Sequence, residues 1–130
     1  MDIEASLNGH RRAIEAVADL APAIYQAADR LTRTFEGGGR VYACGNGGSA
    51  ADAQHFAAEL TGRFQADRPG FPAIALTTDT SALTSIGNDY GFERVFARQL
   101  ESLGRSGDTL LALSTSGYSP NVAAAVASAT

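Results

Sequence analysis

Lysine is absent from this chain of 130 residues, and cysteine occurs only once. Because all ten basic residues are arginines, the protein has no lysine for a Schiff base or a P-loop. The single cysteine, Cys44, excludes an internal disulfide framework and a cysteine-rich metal knuckle. The net charge of −4 argues against a nucleic-acid-binding protein that gains its affinity by neutralising phosphates.

Long apolar segments are also lacking. No apolar run approaches the roughly 20 residues of a membrane-spanning helix, and the N-terminal residues MDIEASLNGHRR lack the apolar stretch of a signal peptide. The composition, 45% hydrophobic and 18% charged, is typical of a globular protein. We therefore expect a cytoplasmic protein without a membrane or nucleic-acid partner, with one domain spanning residues 1–130.

Helices and strands alternate in the sequence pattern. Apolar residues at helical spacing predict helices over 3–20, from Pro22 to the glycines at 37–39, and over 49–64, 80–86, 92–103 and 121–129. Apolar runs without alternation predict strands buried on both faces over 40–44, 73–77 and 108–113. This order predicts a three-layer α/β fold with a parallel sheet, in which N-terminal helices (1–38) precede an α/β core (39–130).

The predicted sheet is small for a complete α/β core. Three parallel strands would leave an exposed edge, which natural proteins avoid. The final alanine-rich segment also ends without a C-cap signal. We expect C-terminal strands to be missing, because the chain is truncated or because it depends on partner subunits.

A glycine-rich loop follows the first predicted strand. Gly45–Ser49 lets the backbone approach a ligand closely, and the helix that follows offers free N–H groups. The loop is either an anion or sugar-hydroxyl site or an ordinary strand-to-helix turn. The loop matches part of the glycine motif of dinucleotide-binding proteins. That motif also requires an acidic residue about 20 positions later, at the end of the next strand, and the nearest one, Asp67, lies in a turn.

A hydroxyl-rich loop follows the third predicted strand. Four hydroxyl side chains, those of Ser114, Thr115, Ser116 and Ser119, precede a helix that begins with Pro120. Hydroxyls and helix N-terminal amides can hold a phosphate without lysine. The alternative is an ordinary N-cap at Ser119. A serine hydrolase is disfavoured because the nucleophile-elbow pattern is absent.

The third predicted helix carries Asp52, His55 and Glu59 within an arc of about 60°. A His–Glu pair at i, i+4 can bind one metal ion or act as an acid–base pair; alternatively, it only stabilises an exposed helix face. Asn88 and Asp89 are predicted to lie in a loop after a short helix, where they either bind sugar hydroxyls or orient Glu59, or simply form a turn.

Four motifs resemble those of the phosphoheptose isomerases, members of the sugar-isomerase (SIS) family, which convert sedoheptulose 7-phosphate to D-glycero-D-manno-heptose 7-phosphate. The matching segments, in the same order and spacing over nearly the whole chain, are Cys44–Leu60, Arg68–Leu76, Gly87–Gly91, and Ser114–Gly117 with Ser119. The resemblance implies a five-stranded, flavodoxin-like SIS sheet in a cytoplasmic homotetramer with active sites between subunits.

The resemblance also implies roles for individual residues. The implied substrate-binding residues are Asn46, Gly47, Gly48, Glu59, Asn88, Asp89, Ser114, Thr115, Ser116 and Ser119. It implies one zinc ion per subunit, held by His55 and Glu59, with Glu59 as the general base. The family's remaining zinc ligands, a Gln and a His that also serves as general acid, are expected beyond Thr130. Tyr118 stands where relatives commonly have Asn, with an effect on substrate that the sequence does not indicate.

The expected activity is an aldose–ketose isomerisation through an enediol, in ADP-heptose precursor biosynthesis. The alternatives are non-catalytic SIS modules that bind a replication-initiator protein or sense a sugar phosphate. Glu59 favours the enzyme, because the related initiator-binding protein lacks that helix glutamate and a sensor needs no acid–base pair.

Overall fold

The computed structural model describes residues 2–130 and contains a three-stranded parallel sheet. The elements are, in chain order, α1 (Ile3–Val17), α2 (Ala21–Glu36), β1 (Val41–Cys44), α3 (Gly48–Thr61), β2 (Ala73–Ala75), α4 (Thr80–Tyr90), α5 (Val95–Leu103), β3 (Thr109–Ala112) and α6 (Pro120–Ser128). Short 3-10 helices span Ala18–Leu20 and Phe92–Arg94. The strand order is β2-β1-β3, with Val41 opposite Ala73 and Thr109. The predicted α/β fold with a parallel sheet is thereby confirmed.

The central strand β1 is buried along its whole length. Its alternate residues Tyr42 and Cys44 contribute to a core cluster between the sheet and the helices α5 and α6. The buried members of this cluster are Tyr42, Cys44, Leu76, Val95, Phe96, Leu100, Val122 and Ala125. Helix α3 packs against β1 and β2 and buries Ala53 and Ala57. Burial on both faces explains why β1 is an unbroken apolar run in the sequence.

The chain divides into two compact units, one ending at Thr32 and the other beginning at Arg33. In the first unit, Asp2 caps α1, because its Oδ1 accepts the N–H of Ala5 at 3.1 Å. No residue of α1 is buried, and its apolar side chains at Ile3 and Ile14 are more than 60% exposed. The first unit therefore presents apolar surface. No helix within residues 2–130 is both long and apolar enough to cross a membrane.

The predicted loop over residues 87–91 is wrong, because α4 continues through Asn88 and Asp89 to Tyr90. A glycine such as Gly87 costs a helix only about 1 kcal/mol, and the apolar residues Leu83 and Ile86 of this helix pack against the core cluster. The helix instead ends at Tyr90, and its C-cap residue Gly91 has a φ of 88°, which suits a glycine.

Ser49, with Asp52 three residues later, has the sequence pattern of a capping box, but it does not cap α3. The helix begins at Gly48, and its N-cap residue is Gly47, with a φ of 54° and no side-chain capping bond. The positive φ turns the chain into the helix earlier than Ser49, which therefore lies inside the first turn. The helix also ends at Thr61 and not at Phe64.

Candidate active site

The carboxyl ends of the parallel strands lie at one edge of the sheet, where ligands of open α/β folds bind. The glycine loop (Gly45–Gly48) leaves this edge after β1, and the serine loop (Ser114–Ser119) leaves it after β3. A backbone bond from the N–H of Leu113 to the carbonyl of Cys44, 2.9 Å long, joins the two strand ends. The fold thus brings two of the predicted binding segments to one edge.

The glycine loop needs glycine at Gly45 for steric reasons. A Cβ at this position would lie 2.7 Å from the carbonyl oxygen of Ser49, closer than van der Waals contact allows. A Cβ at Gly48, in contrast, would meet nothing within 4 Å. Gly47 and Gly48 are exposed, so their backbone is accessible to a ligand.

Hydroxyl groups of the serine loop converge on Ser114. Its Oγ lies 3.1 Å from the Oγ of Ser119 and 3.5 Å from that of Ser116. It also accepts the N–H of Gly117 at 3.1 Å. Ser119 precedes α6 as its N-cap residue but makes no side-chain capping bond, so its hydroxyl faces the loop. Three of the four predicted phosphate-binding hydroxyls are therefore adjacent.

A cavity of about 630 Å³ lies beside α3, on the helix face that carries Asp52, His55 and Glu59. The lining residues are Asp52, His55, Phe56, Glu59, Leu60, Phe64, Gln65 and Arg68. His55 Nε2 lies 3.1 Å from Glu59 Oε1, with side chains 76% and 36% exposed. The helical spacing places a carboxylate and an imidazole side by side on one helix face, as predicted, and the structure adds that this face borders a wide cavity.

Arg68 supports the end of α3 that carries Glu59, a role that sequence reasoning missed. Its guanidinium donates to the carbonyl oxygens of Glu59 at 2.8 Å and Leu60 at 2.9 Å. It also lies 4.4 Å from the ring centroid of Phe71. The last carbonyls of a helix lack intrahelical partners, so Arg68 satisfies them. The only sequence feature that pointed to Arg68 was its position at the start of the motif Arg68–Leu76.

The structure does not bring every predicted site residue into one cavity. Among residues 2–130, neither the glycine loop nor the serine loop belongs to the lining of the cavity beside α3. Asn88 and Asp89 are exposed in the last turn of α4, where Asn88 Nδ2 donates to Asp89 Oδ1 at 2.8 Å.

His55 and Glu59 supply the nitrogen and oxygen donors that zinc accepts. Within the described part of the chain, no group of three or more His, Cys, Asp or Glu residues could hold a metal ion. Since zinc sites use at least three protein ligands, the pair fits part of a zinc site and needs further ligands.

Cys44, next to the glycine loop, lies in the core. Its side chain belongs to the core cluster and has no solvent exposure. Burial raises the pKa of the Cys44 thiol to about 11. The thiol is therefore neutral near pH 7 and is not a nucleophile of the site.

Comparison with known proteins gives consistent matches. The SIS domain family matches residues 7–130. The phosphoheptose isomerase of Roseiflexus sp. (strain RS-1) is 59% identical over 128 residues, which cover 98% of this chain and 64% of the relative. The phosphoheptose isomerase of Helicobacter hepaticus is 58% identical over 120 residues, 92% of this chain and 61% of the relative.

A solved structure gives the same result. The structure of phosphoheptose isomerase GmhA from Neisseria gonorrhoeae is 49% identical, with a TM-score of 0.86, and the match covers 98% of this chain and 69% of that chain. The chain thus spans less than two thirds of the length of the two curated relatives.

Proposed function

The chain belongs to the SIS domain family and to its phosphoheptose isomerases, and from this premise we propose that it takes part in converting sedoheptulose 7-phosphate to D-glycero-D-manno-heptose 7-phosphate. This reaction would supply heptose phosphate for the ADP-heptose precursor. The observation that carries the proposal is the carboxylate of Glu59, held beside His55 in a cavity large enough for a sugar phosphate.

Glu59 is the proposed general base. Conversion of the ketose to the aldose requires removal of a proton from C1 and its return to C2 through an enediol. Glu59 carboxylate would take the C1 proton and deliver it to C2, while the hydroxyl proton passes from O1 to O2. A positioned base of this kind typically contributes about 10²–10⁴-fold.

The serine loop is the proposed phosphate site. The adjacent hydroxyls of Ser114, Ser116 and Ser119, together with Thr115 and the amides that begin α6, offer donors to the phosphate oxygens. Binding energy at this remote group would help to orient C1 against Glu59. Hydroxyls of the sugar would contact Asn46, Gly47 and Gly48 and, from α4, Asn88 and Asp89.

We propose that each subunit holds one zinc ion. Two of its ligands are His55 and Glu59, and further groups complete the coordination. When bound, zinc polarises a carbonyl oxygen and stabilises negative charge on it. The i, i+4 placement of the two donors on α3 supports this assignment. The residues themselves hold the ion and, in the case of Glu59, move the proton.

A homotetramer in the cytoplasm is the proposed form of the protein. The high exposure of His55 in a single chain supports a site that a second copy covers, because water exclusion strengthens electrostatic contacts in an active site. The exposed apolar side chains of α1 support burial against other copies. Light scattering of the purified protein should give four times the mass of one chain.

The proposed reaction is tested by adding sedoheptulose 7-phosphate to the full chain and measuring formation of the aldose phosphate with a coupled assay. Product formation supports the isomerase. Binding of the sugar phosphate without product overturns it in favour of a sensing module. Capture of a replication-initiator protein without turnover overturns it in favour of an interaction module.

A further inference from the structure

The side chains of Asn46 and Asn121 form a reciprocal amide pair. Asn46 Nδ2 donates to Asn121 Oδ1 at 2.8 Å, and Asn121 Nδ2 donates to Asn46 Oδ1 at 2.8 Å. The Oδ1 of Asn121 also accepts the N–H of Val122 at 3.0 Å. Asn121 is only 3% exposed. The two bonds join residues 75 positions apart in the sequence.

This pair connects the two loops that carry the proposed substrate contacts. Asn46 lies in the glycine loop, whereas Asn121 lies two residues after Ser119, in the first turn of α6. Each amide offers one donor and one acceptor to the other, so the pair fixes both the distance and the relative rotation of the two side chains. A buried polar side chain is costly to leave unpaired, and both amides are needed to satisfy the pair.

We propose that Asn121 is a positioning residue, which acts through Asn46 to hold the glycine loop in register with the phosphate-binding serine loop. The inference rests on the proposed function, since it assigns Asn46 to the sugar and the serine loop to the phosphate. A substrate that contacts both loops is held in one orientation only when the spacing of the loops is kept. Errors of orientation reduce turnover even when binding persists.

A double-mutant cycle tests this role in the full chain. The variants are Asn46→Ala, Asn121→Ala and the two combined, and the readouts are kcat/KM and the Kd for sedoheptulose 7-phosphate. Coupled residues in contact deviate strongly from additivity. We therefore expect Asn121→Ala to lower kcat/KM about tenfold in the wild-type background and less than about twofold in the Asn46→Ala background.

A merely structural role gives a different result. If Asn121 only stabilises the fold, its replacement reduces kcat/KM by the same factor in both backgrounds, and this additivity overturns the inference. Should Asn121→Ala not fold, Asn121→Asp keeps the shape and the acceptor but loses the donor to Asn46. It is judged by the same comparison between backgrounds.

Gln99→Ala is the matched control. Gln99 is another buried amide, 8% exposed, whose Nε2 donates to the carbonyls of Leu76 and Val95. Its replacement should lower the melting temperature without coupling to Asn46. Coupling of equal size for Gln99 would overturn the specific role of Asn121.

The outcomes also separate this inference from the proposed function. If the wild type converts the substrate but the double-mutant cycle is additive, only the role of Asn121 is overturned. If the wild type binds the sugar phosphate without converting it, the isomerase is overturned, and a double-mutant cycle on the Kd values then tests the role of Asn121. A wild-type chain that neither binds nor converts the sugar phosphate overturns both.

Discussion

His55 Nε2 and Glu59 Oε1 lie 3.1 Å apart, one turn of α3 from each other. The backbone beneath this pair is held by Arg68, which donates to the carbonyl of Glu59 itself. A carboxylate in this position has a hydrogen-bonded neighbour on its own helix and a supported main chain. Both features restrict the orientation of the Glu59 side chain beside the cavity.

Replacement of Glu59 by Gln should abolish most of the turnover. Glutamine keeps the shape of the side chain but cannot accept the C1 proton, so kcat should fall by about 10²–10⁴-fold, while the Kd for sedoheptulose 7-phosphate changes far less. Steady-state kinetics and calorimetry check this. Glu15→Gln, at an exposed position on α1, removes the same charge and should leave kcat unchanged. Unchanged turnover in Glu59→Gln would remove this residue from the mechanism.

Replacement of Ser114 by Ala should weaken phosphate binding. The Oγ of Ser114 contacts both the hydroxyl of Ser119 and the N–H of Gly117 in the serine loop. Hydrogen bonds to a charged partner contribute about 1.5–3 kcal/mol. KM should therefore rise about tenfold or more, and inhibition by inorganic phosphate should weaken in parallel. Ser106→Ala, in the exposed turn before β3, is the control. A KM equal to that of the wild type would contradict the phosphate assignment.

In protein that also carries the remaining ligands, zinc should be present at about one ion per subunit and should depend on His55. Elemental analysis by mass spectrometry should find the ion in the wild type and much less in His55→Ala. The second histidine of the chain, His10, is exposed on α1, so His10→Ala should retain the metal. A wild type without zinc contradicts the cofactor proposal, and full retention in His55→Ala contradicts the ligand assignment.

Alanine at two positions of the glycine loop should have opposite effects on stability. At Gly45 the new Cβ would lie 2.7 Å from backbone of Ser49, and overpacking of this kind costs about 1–3 kcal/mol in free energy of unfolding. At Gly48 there is open space, and Gly→Ala at a compatible site stabilises by about 0.4–1 kcal/mol. Chemical denaturation measures both. Equal stability of the two variants would show that the close approach at Gly45 does not constrain the loop.

The buried thiol of Cys44 should make stability depend on alkaline pH. Burial raises the pKa of the folded-state thiol from 9.0 to about 11, so the neutral form is favoured in the folded protein. This contribution to stability is complete below pH 9 and is lost as the pH rises through about 11. The wild type should therefore lose stability relative to Cys44→Ala between these pH values, as measured by denaturation. Rapid alkylation of the native thiol near neutral pH would contradict its burial.

Local patterns in the sequence were sufficient for the order of helices and strands and for the pair on α3, but not for every helix end. The apolar runs predicted the positions of the three strands. The expected burial on both faces holds for β1, whereas Ile74 of β2 is 41% exposed and β3 is only half-buried. The spacing of His55 and Glu59 placed them on one helix face, because helical periodicity is a local property. The end of α4 was predicted wrongly because packing of Leu83 and Ile86 against the core outweighs the weak helix propensity of Gly87.

The sequence alone therefore determined the α/β order, the glycine and serine loops at the strand ends, and the i, i+4 acid–imidazole pair. Only the tertiary structure decided that Arg68 closes the end of α3 and that Asn46 meets Asn121. These contacts join side chains from separate segments, and they form only when the sheet and helices pack and bring the segments together. No periodicity or spacing within a single segment encodes a contact between two distant segments.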